Sequence, residues 1–392
     1  MKKILFYDSG KASRSGSSGG SLYSLLEIVK ILSNKYEIMI VLKYPHSIIS
    51  EYQKLNIKTY VIFNVTELKL KLENEKKVLF RFLKFSNRLT NLKREFFYLR
   101  SFFSKETWLL LKKINSFSPD IIHCNNRITS SLNLIILSRI YNIKCYIHQR
   151  QYDIFLPLIF KLINKKLNFI AISKSINDNL ISLNISNKNI MIIPNWVDNS
   201  NHLITNQPHL NNNNFHFIWI GRVVPWKGLD KVIELLNVFK DLFSCDFKLD
   251  VFGDLNDDSS YTSYINSLVK SYNLTNHINF KNYISNKEID YSIYSVFFHS
   301  SIRPEPFGRS IIEAMQKNIL VFSTALGGAS EIIINKKNGI KIDLNSHIVT
   351  SNLLFNVLND FKYYNSLTSS AAIDVKKKYS KNVIEKLIYK LY

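Results

Sequence analysis

Apolar and polar positions along the chain follow two alternating rhythms. Short runs rich in β-branched and aromatic residues read as buried strands. The longer stretches between them carry the three-and-four spacing of amphipathic helices. The expected strands of the first half are Lys2–Asp8, Tyr36–Lys43, Lys58–Phe63, Asp120–Asn125, Lys144–Arg150, Asn168–Ser173 and Ile190–Asn195. Those of the second half are Phe215–Gly221, Phe247–Asp254, Ile278–Tyr283, Val296–Ser301 and Leu320–Ala325. Near-continuous apolar strands alternating with helices predict an α/β chain whose parallel sheets are covered on both faces. The Asn-rich stretch 196–214 reads as an interdomain connection. The expected organisation is a first doubly wound domain over 1–195, a linker over 196–214, a second such domain over 215–380, and a C-terminal helix over 381–392 returning toward the first domain. Ligands of such sheets bind at the carboxyl ends of the strands, so a cleft between the domains is the expected site.

Residues 69–113 break this rhythm. Leu79, Phe82, Leu89, Leu92, Phe96, Leu99 and Phe103 fall at helical spacing there, among 13 basic and 4 acidic residues. A basic amphipathic segment with aromatic bulk suits an anionic membrane interface. The competing reading is an apolar stripe packed on the domain with a solvated charged face. Aromatics on one helical stripe do not make a base-stacking platform, so nucleic acid is not the expected partner.

Composition narrows the class. The chain has 392 residues, 46% hydrophobic and 21% charged, enough for two globular domains. No run of about 18 apolar residues occurs, so no helix is expected to cross a bilayer. The apolar run after Lys2-Lys3 is too short for a signal-peptide core of about 7–15 residues. Three cysteines without a CxxC pair argue against a disulfide framework or structural zinc. A reduced, cytoplasmic chain is the expectation. Its net charge is +22, and the split is uneven: +19 up to Asn195 and +3 beyond it. That asymmetry points to a polyanionic surface for the first half alone.

Candidate chemistry concentrates in the second half. In FIWIGRVVPWKG a buried strand ends at Gly221, and Arg222 and Lys227 follow on the loop and helix start. A guanidinium fork and an ammonium beside free backbone amides form a clamp for a diphosphate. In VFFHSSIRPEPFGRSIIEAMQ a strand ends near His299, and Phe307-Gly308-Arg309 opens a helix. Glu305 precedes that helix and Glu313 lies about one turn inside it. Carboxylates accept hydrogen bonds from vicinal hydroxyls, so this pair suits a sugar or a ribose. Gly327-Gly328 then marks a turn that allows close backbone approach.

The ordered set GRVVPWKG, VFGD, INFKNYIS, EPFGRSIIEAM, LGGASEI and NGI resembles the nucleotide-sugar domain of glycosyltransferase family 4, of the bacterial polysaccharide and lipopolysaccharide type. GSSGG after the first strand, SPDIIHCN, the strand around His148, AISKS and IPNWVD extend the resemblance over nearly the whole chain. The family implies a GT-B fold, two Rossmann-like domains facing a cleft, and retaining transfer from a nucleotide diphosphate sugar. By this resemblance Arg222 and Lys227 hold the diphosphate and stabilise it as it leaves. Glu305 binds donor-sugar hydroxyls with the amides of Phe307, Gly308 and Arg309, and Glu313 binds the ribose. Gly20 approaches the donor from the first domain, and His148 stands beside the donor sugar unless it is a satisfied core histidine. His123 reads as structural.

Trp196 departs from the family's usual Gly, and Gln316, Asn318 and Leu320 replace its small residue, Gly and Pro. Asn tolerates the left-handed conformation next best after Gly, so that turn is expected to survive. No D-x-D triplet occurs, in keeping with a cationic clamp and neither metal nor cofactor. The implied acceptor is a glycan, lipid-linked, in cell-surface polysaccharide synthesis, with the enzyme peripheral on the inner face of the cell membrane. A GT-B sugar-nucleotide epimerase and a non-catalytic membrane-docked glycan-binding protein remain the alternatives.

Overall fold

The computed structural model describes residues 1–10, 20–63, 87–163, 167–198, 214–282, 284 and 288–392. The chain forms two compact units, Met1–Ile193 and Pro194–Tyr392.

The first unit is built on a parallel sheet of β1 (Lys3–Asp8), β2 (Glu37–Leu42), β3 (Lys58–Val61), β4 (Ile121–Asn126), β5 (Lys144–Gln149), β6 (Asn168–Ala171) and β7 (Ile190–Ile192). Its order is β3-β2-β1-β4-β5-β6-β7. Every residue of β1 from Ile4 to Asp8 is buried, which explains why the run is apolar without alternation. The Gly20–Leu32 helix buries Leu22, Leu25, Leu26, Val29 and Leu32, one face at three-and-four spacing.

The second unit carries β8 (Asn214–Ile220), β9 (Asp246–Phe252), β10 (Ile278–Phe280), β11 (Val296–His299), β12 (Leu320–Ser323) and β13 (Ile340–Lys341), all parallel, in the order β10-β9-β8-β11-β12-β13. The two-residue β13 was not expected, because a run that short has no readable period. Phe217 lies at the centre of this core, with ring centroids 5.4 Å from Phe298, 5.9 Å from Phe247 and 6.1 Å from Phe239. Strand order reverses beside β1 in one sheet and beside β8 in the other. These are the switch points at which doubly wound sheets take ligands.

Within the basic segment, residues 69–86 lie outside the described residues, and so do 16–19 of the glycine turn and 199–213 of the connection. What is described is two helices, Asn87–Phe102 and Lys105–Phe117. The second is anchored: Leu110, Ile114 and Phe117 are buried, and Glu106 pairs with Lys43 at 2.8 Å while accepting from the Tyr7 hydroxyl at 2.6 Å. The stripe from Phe96 through Leu99 to Phe103 is exposed, so this part does not pack into the core. No helix among the described residues is long and apolar enough to cross a membrane. Val197 pairs with Ser380 where the C-terminal helix Lys381–Leu391 begins, and that helix is part of the second unit.

Candidate active site

The loops that leave β8 and β11 meet at the switch point of the second sheet. Gly221 receives its place from the Phe252 carbonyl at 3.0 Å. A Cβ at Gly253 would stand 2.1 Å from the Gly221 oxygen, so the ends of β8 and β9 approach too closely for any side chain there. Beyond Gly221, Arg222 is exposed and Lys227 half-buried, and both lie over the Trp226 ring, at 5.7 and 4.5 Å from its centroid. Gly228 closes this turn at φ +67°, a conformation costly for other residues, and its missing side chain leaves room for the Ser300 carbonyl.

Across from these cations, the buried Glu305 forms an ion pair with Lys227. Its Oε1 also accepts from the Ser301 hydroxyl at 2.6 Å and stands 3.5 Å from His299 Nε2. Burial by itself would push the carboxyl up; the Lys227 charge and the His299 contact outweigh it and hold Glu305 well below the usual carboxylate range. The residue is therefore an anion at neutral pH. Its backbone is fixed as firmly: the Glu305 amide donates to the Leu326 carbonyl, and the Gly328 amide donates to the Glu305 carbonyl at 2.7 Å. Gly328 sits against Pro306 and Phe307, whose atoms a Cβ would meet at 2.5 to 2.8 Å.

Phe307 is buried edge-on against Tyr379, and Gly308, at φ +105°, precedes the Arg309–Gln316 helix. The amides of Phe307, Gly308 and Arg309 thus stand at a helix start, where donors lack intrahelical partners. Arg309 and Glu313 pair one turn apart at 2.8 Å. Asn318, in place of the family's glycine, adopts φ +56°, as its tolerance of that region allows.

The sequence reading missed the supports. Trp219 Nε1 donates to Ser300 Oγ at 2.9 Å, and that hydroxyl donates to the Lys227 carbonyl at 2.8 Å, tying β8 to the loop after β11. His299 Nδ1 meets Ser323 Oγ at 3.0 Å, bracing the histidine from β12. A clue existed in HSS at the end of a strand otherwise made of Val and Phe: polar residues buried at a carboxyl end need partners.

In the first unit His148 is buried near the end of β5, its ring 5.4 Å from that of His123. Its Nδ1 lies 3.3 Å from Arg150 Nη2. Gly20 opens the Gly20–Leu32 helix, exposed, with nothing within 4 Å of where a side chain would begin. Asp8, Asn125, Asn126 and Arg150 form a buried polar cluster beside His148 that the sequence reading did not single out.

Two parallel-sheet units of this topology, with cations and a carboxylate at the second switch point, define a GT-B chain. The model of glycosyltransferase family 4 matches residues 44–201, and that of glycosyl transferases group 1 matches 202–373. The chain belongs to this glycosyltransferase family. It is similar to the capsular polysaccharide biosynthesis glycosyltransferase CapM of Staphylococcus aureus, 24% identical over 57% of this chain and 61% of that protein. Thus the chain spans somewhat under two thirds of the curated relative it matches. Among solved structures, a glycosyltransferase from Rickettsia africae is 20% identical at a TM-score of 0.77, covering all of this chain and 97% of its own. The Anabaena protein HepE in complex with UDP and glucose is also 20% identical, with a TM-score of 0.74 over all of this chain and 99% of that one.

Proposed function

We propose that this protein is a retaining glycosyltransferase. It moves a sugar from a nucleotide diphosphate to a lipid-linked glycan in cell-surface polysaccharide synthesis. The observation that carries the reading is the ionised Glu305 paired with Lys227 at a sheet switch point, with Arg222 sharing the Trp226 ring with Lys227: a carboxylate for hydroxyls and cations for phosphate. In this reading Arg222 and Lys227 bind the diphosphate and stabilise the charge that builds on it as the glycosidic bond breaks. Glu305 and the amides of Phe307, Gly308 and Arg309 hold the donor sugar, and Glu313 accepts from the ribose. Gly20 and His148 serve the donor from the first domain. The clamp does the work of a metal, so transfer continues in excess chelator. CapM's role in capsular polysaccharide biosynthesis supports the choice of pathway.

The exposed face of the first unit supports a membrane surface as partner. Phe96, Phe103 and Trp108 are 67%, 81% and 54% exposed, and Lys112 Nζ sits 3.6 Å over the Trp108 ring. Each basic residue near an anionic leaflet adds about 1 kcal/mol, so the protein works peripherally on the inner face of the cell membrane. Two experiments test the proposal. Thermal-shift screening against UDP-, GDP- and ADP-sugars should give one clear stabilisation, since a ligand at 100 times its Kd adds about 2.7 kcal/mol. The stabilising sugar nucleotide should be hydrolysed slowly without acceptor, releasing nucleoside diphosphate; no release by the folded protein refutes the transferase reading. Flotation with anionic but not neutral vesicles, weakening as salt rises, tests the membrane arm.

A further inference from the structure

The buried cluster at the ends of β1, β4 and β5 determines where a proton sits. Arg150 Nε donates to Asn125 Oδ1 at 2.5 Å, and Asn125 Nδ2 donates to Asp8. Asn126 Nδ2 and the Gly10 amide also donate to Asp8, at 3.1 and 2.6 Å. A guanidinium only donates and a carboxylate only accepts, so Asn125 has one possible orientation and Asp8 offsets the buried charge of Arg150 through it. The second arm of Arg150 reaches His148. Because Nη2 can only donate, His148 Nδ1 must accept, and the single proton of the ring is on Nε2. A charged imidazolium would set a second donor and a second positive charge against the guanidinium.

Among the described residues, the charged and titratable groups facing this ring are Arg150 on its own strand, His123 from β4 and, through Asn125, Asp8 from β1. Burial, Arg150 and His123 together hold His148 well below the usual histidine range. Its Nε2 is buried and has no hydrogen-bond partner among the described residues. A buried donor left so is unfavourable, and an accepting hydroxyl offsets that penalty.

We infer that Arg150 is a positioning residue that locks His148 as a neutral imidazole with its proton on Nε2, so that the ring gives a hydrogen bond to the donor sugar and cannot act as a general base. The lock stands on the geometry alone; its use toward the sugar rests on the placement of His148 proposed above. The step moves no proton: Nε2–H pairs with a sugar hydroxyl oxygen and keeps its hydrogen throughout.

The test is a nitrogen–proton correlation spectrum of the full chain labelled with ¹⁵N-histidine at pH 7, with His148 assigned by its loss in His148→Gln. The expected pattern is one neutral tautomer with Nε2 protonated. A ring protonated on Nδ1, or on both nitrogens, overturns the inference without any further variant. Arg150→Met should release the lock and give mixed tautomers; an unchanged spectrum in that variant also overturns it. Kinetics then use the sugar nucleotide that stabilises the protein most in the screen. His148→Leu and Arg150→Met should each lose about tenfold or more in kcat/KM, and His148→Gln, which keeps an N–H near the Nε2 position, should lose measurably less than His148→Leu. Affinity for the bare nucleoside diphosphate should not move in any of them. If Arg150→Met mixes the tautomers and transfer is unchanged, the lock stands and the placement of His148 at the sugar fails.

Discussion

Removing the ammonium of Lys227 should destabilise the second unit as well as slow transfer, and the two effects can be separated. In Lys227→Met the buried Glu305 carboxylate loses its ion pair but keeps Ser301 and His299. Breaking a buried pair from one side costs about 3–5 kcal/mol, and the two remaining contacts place this case at about 3 kcal/mol. In a unit the size of Pro194–Tyr392 each kcal/mol shifts melting by about 2–4 °C, so its transition should fall by about 6–12 °C. Adding Glu305→Gln removes the uncompensated charge, and the double variant should regain most of the loss. Transfer should stay down by about 10²–10³ in both, because the amide restores no charge toward the diphosphate. Calorimetric melting and turnover of the same preparations measure the two quantities side by side. A Lys227→Met protein that melts like wild type, or a double variant no more stable than the single, would refute the reasoning about the buried pair.

Arg222 is exposed and touches the Trp226 face, so Arg222→Ala should leave melting nearly unchanged while kcat falls about 10²–10³-fold. Glu305→Gln should lower kcat more than nucleotide affinity and Glu313→Gln the reverse, read by calorimetry with the bare nucleoside diphosphate. Gly328→Ala should displace the Pro306–Phe307 backbone, costing about 1–3 kcal/mol in denaturant unfolding together with activity. The depressed carboxyl of Glu305 predicts an acid effect of known sign. Its stabilisation is complete above the unfolded value of about 4.3 and is lost as pH falls through the lower folded value. The stability gap between wild type and Glu305→Gln should therefore be constant from pH 7 to about 5 and shrink in stronger acid.

Local sequence was enough to place the elements. Each of the twelve expected runs contains a strand. The central ones are legible because a strand buried on both faces must be apolar residue after residue, whereas the largely exposed edge strands β3 and β7 are legible only by their β-branched and aromatic residues. The same holds for Asn318, whose left-handed turn follows from its own side chain. That Arg222, Lys227, Glu305 and Glu313 place charge at strand and helix ends was also legible. What the tertiary structure decided is which of these groups meet. Lys227 and Glu305 are 78 residues apart and pair only because β8 and β11 are neighbours across the switch point. His299 is braced by Ser323 because β11 and β12 run in register, and Arg150 reaches His148, Asn125 and Asp8 because β1, β4 and β5 end together. Parallel pairing joins residues whose separation along the chain is set by intervening helices, and no local period encodes that distance. The fate of the aromatic stripe was undecided for the same reason. Helical spacing gives a face but not what covers it, and only the folded unit leaves Phe96 and Phe103 exposed while burying Leu110 and Ile114.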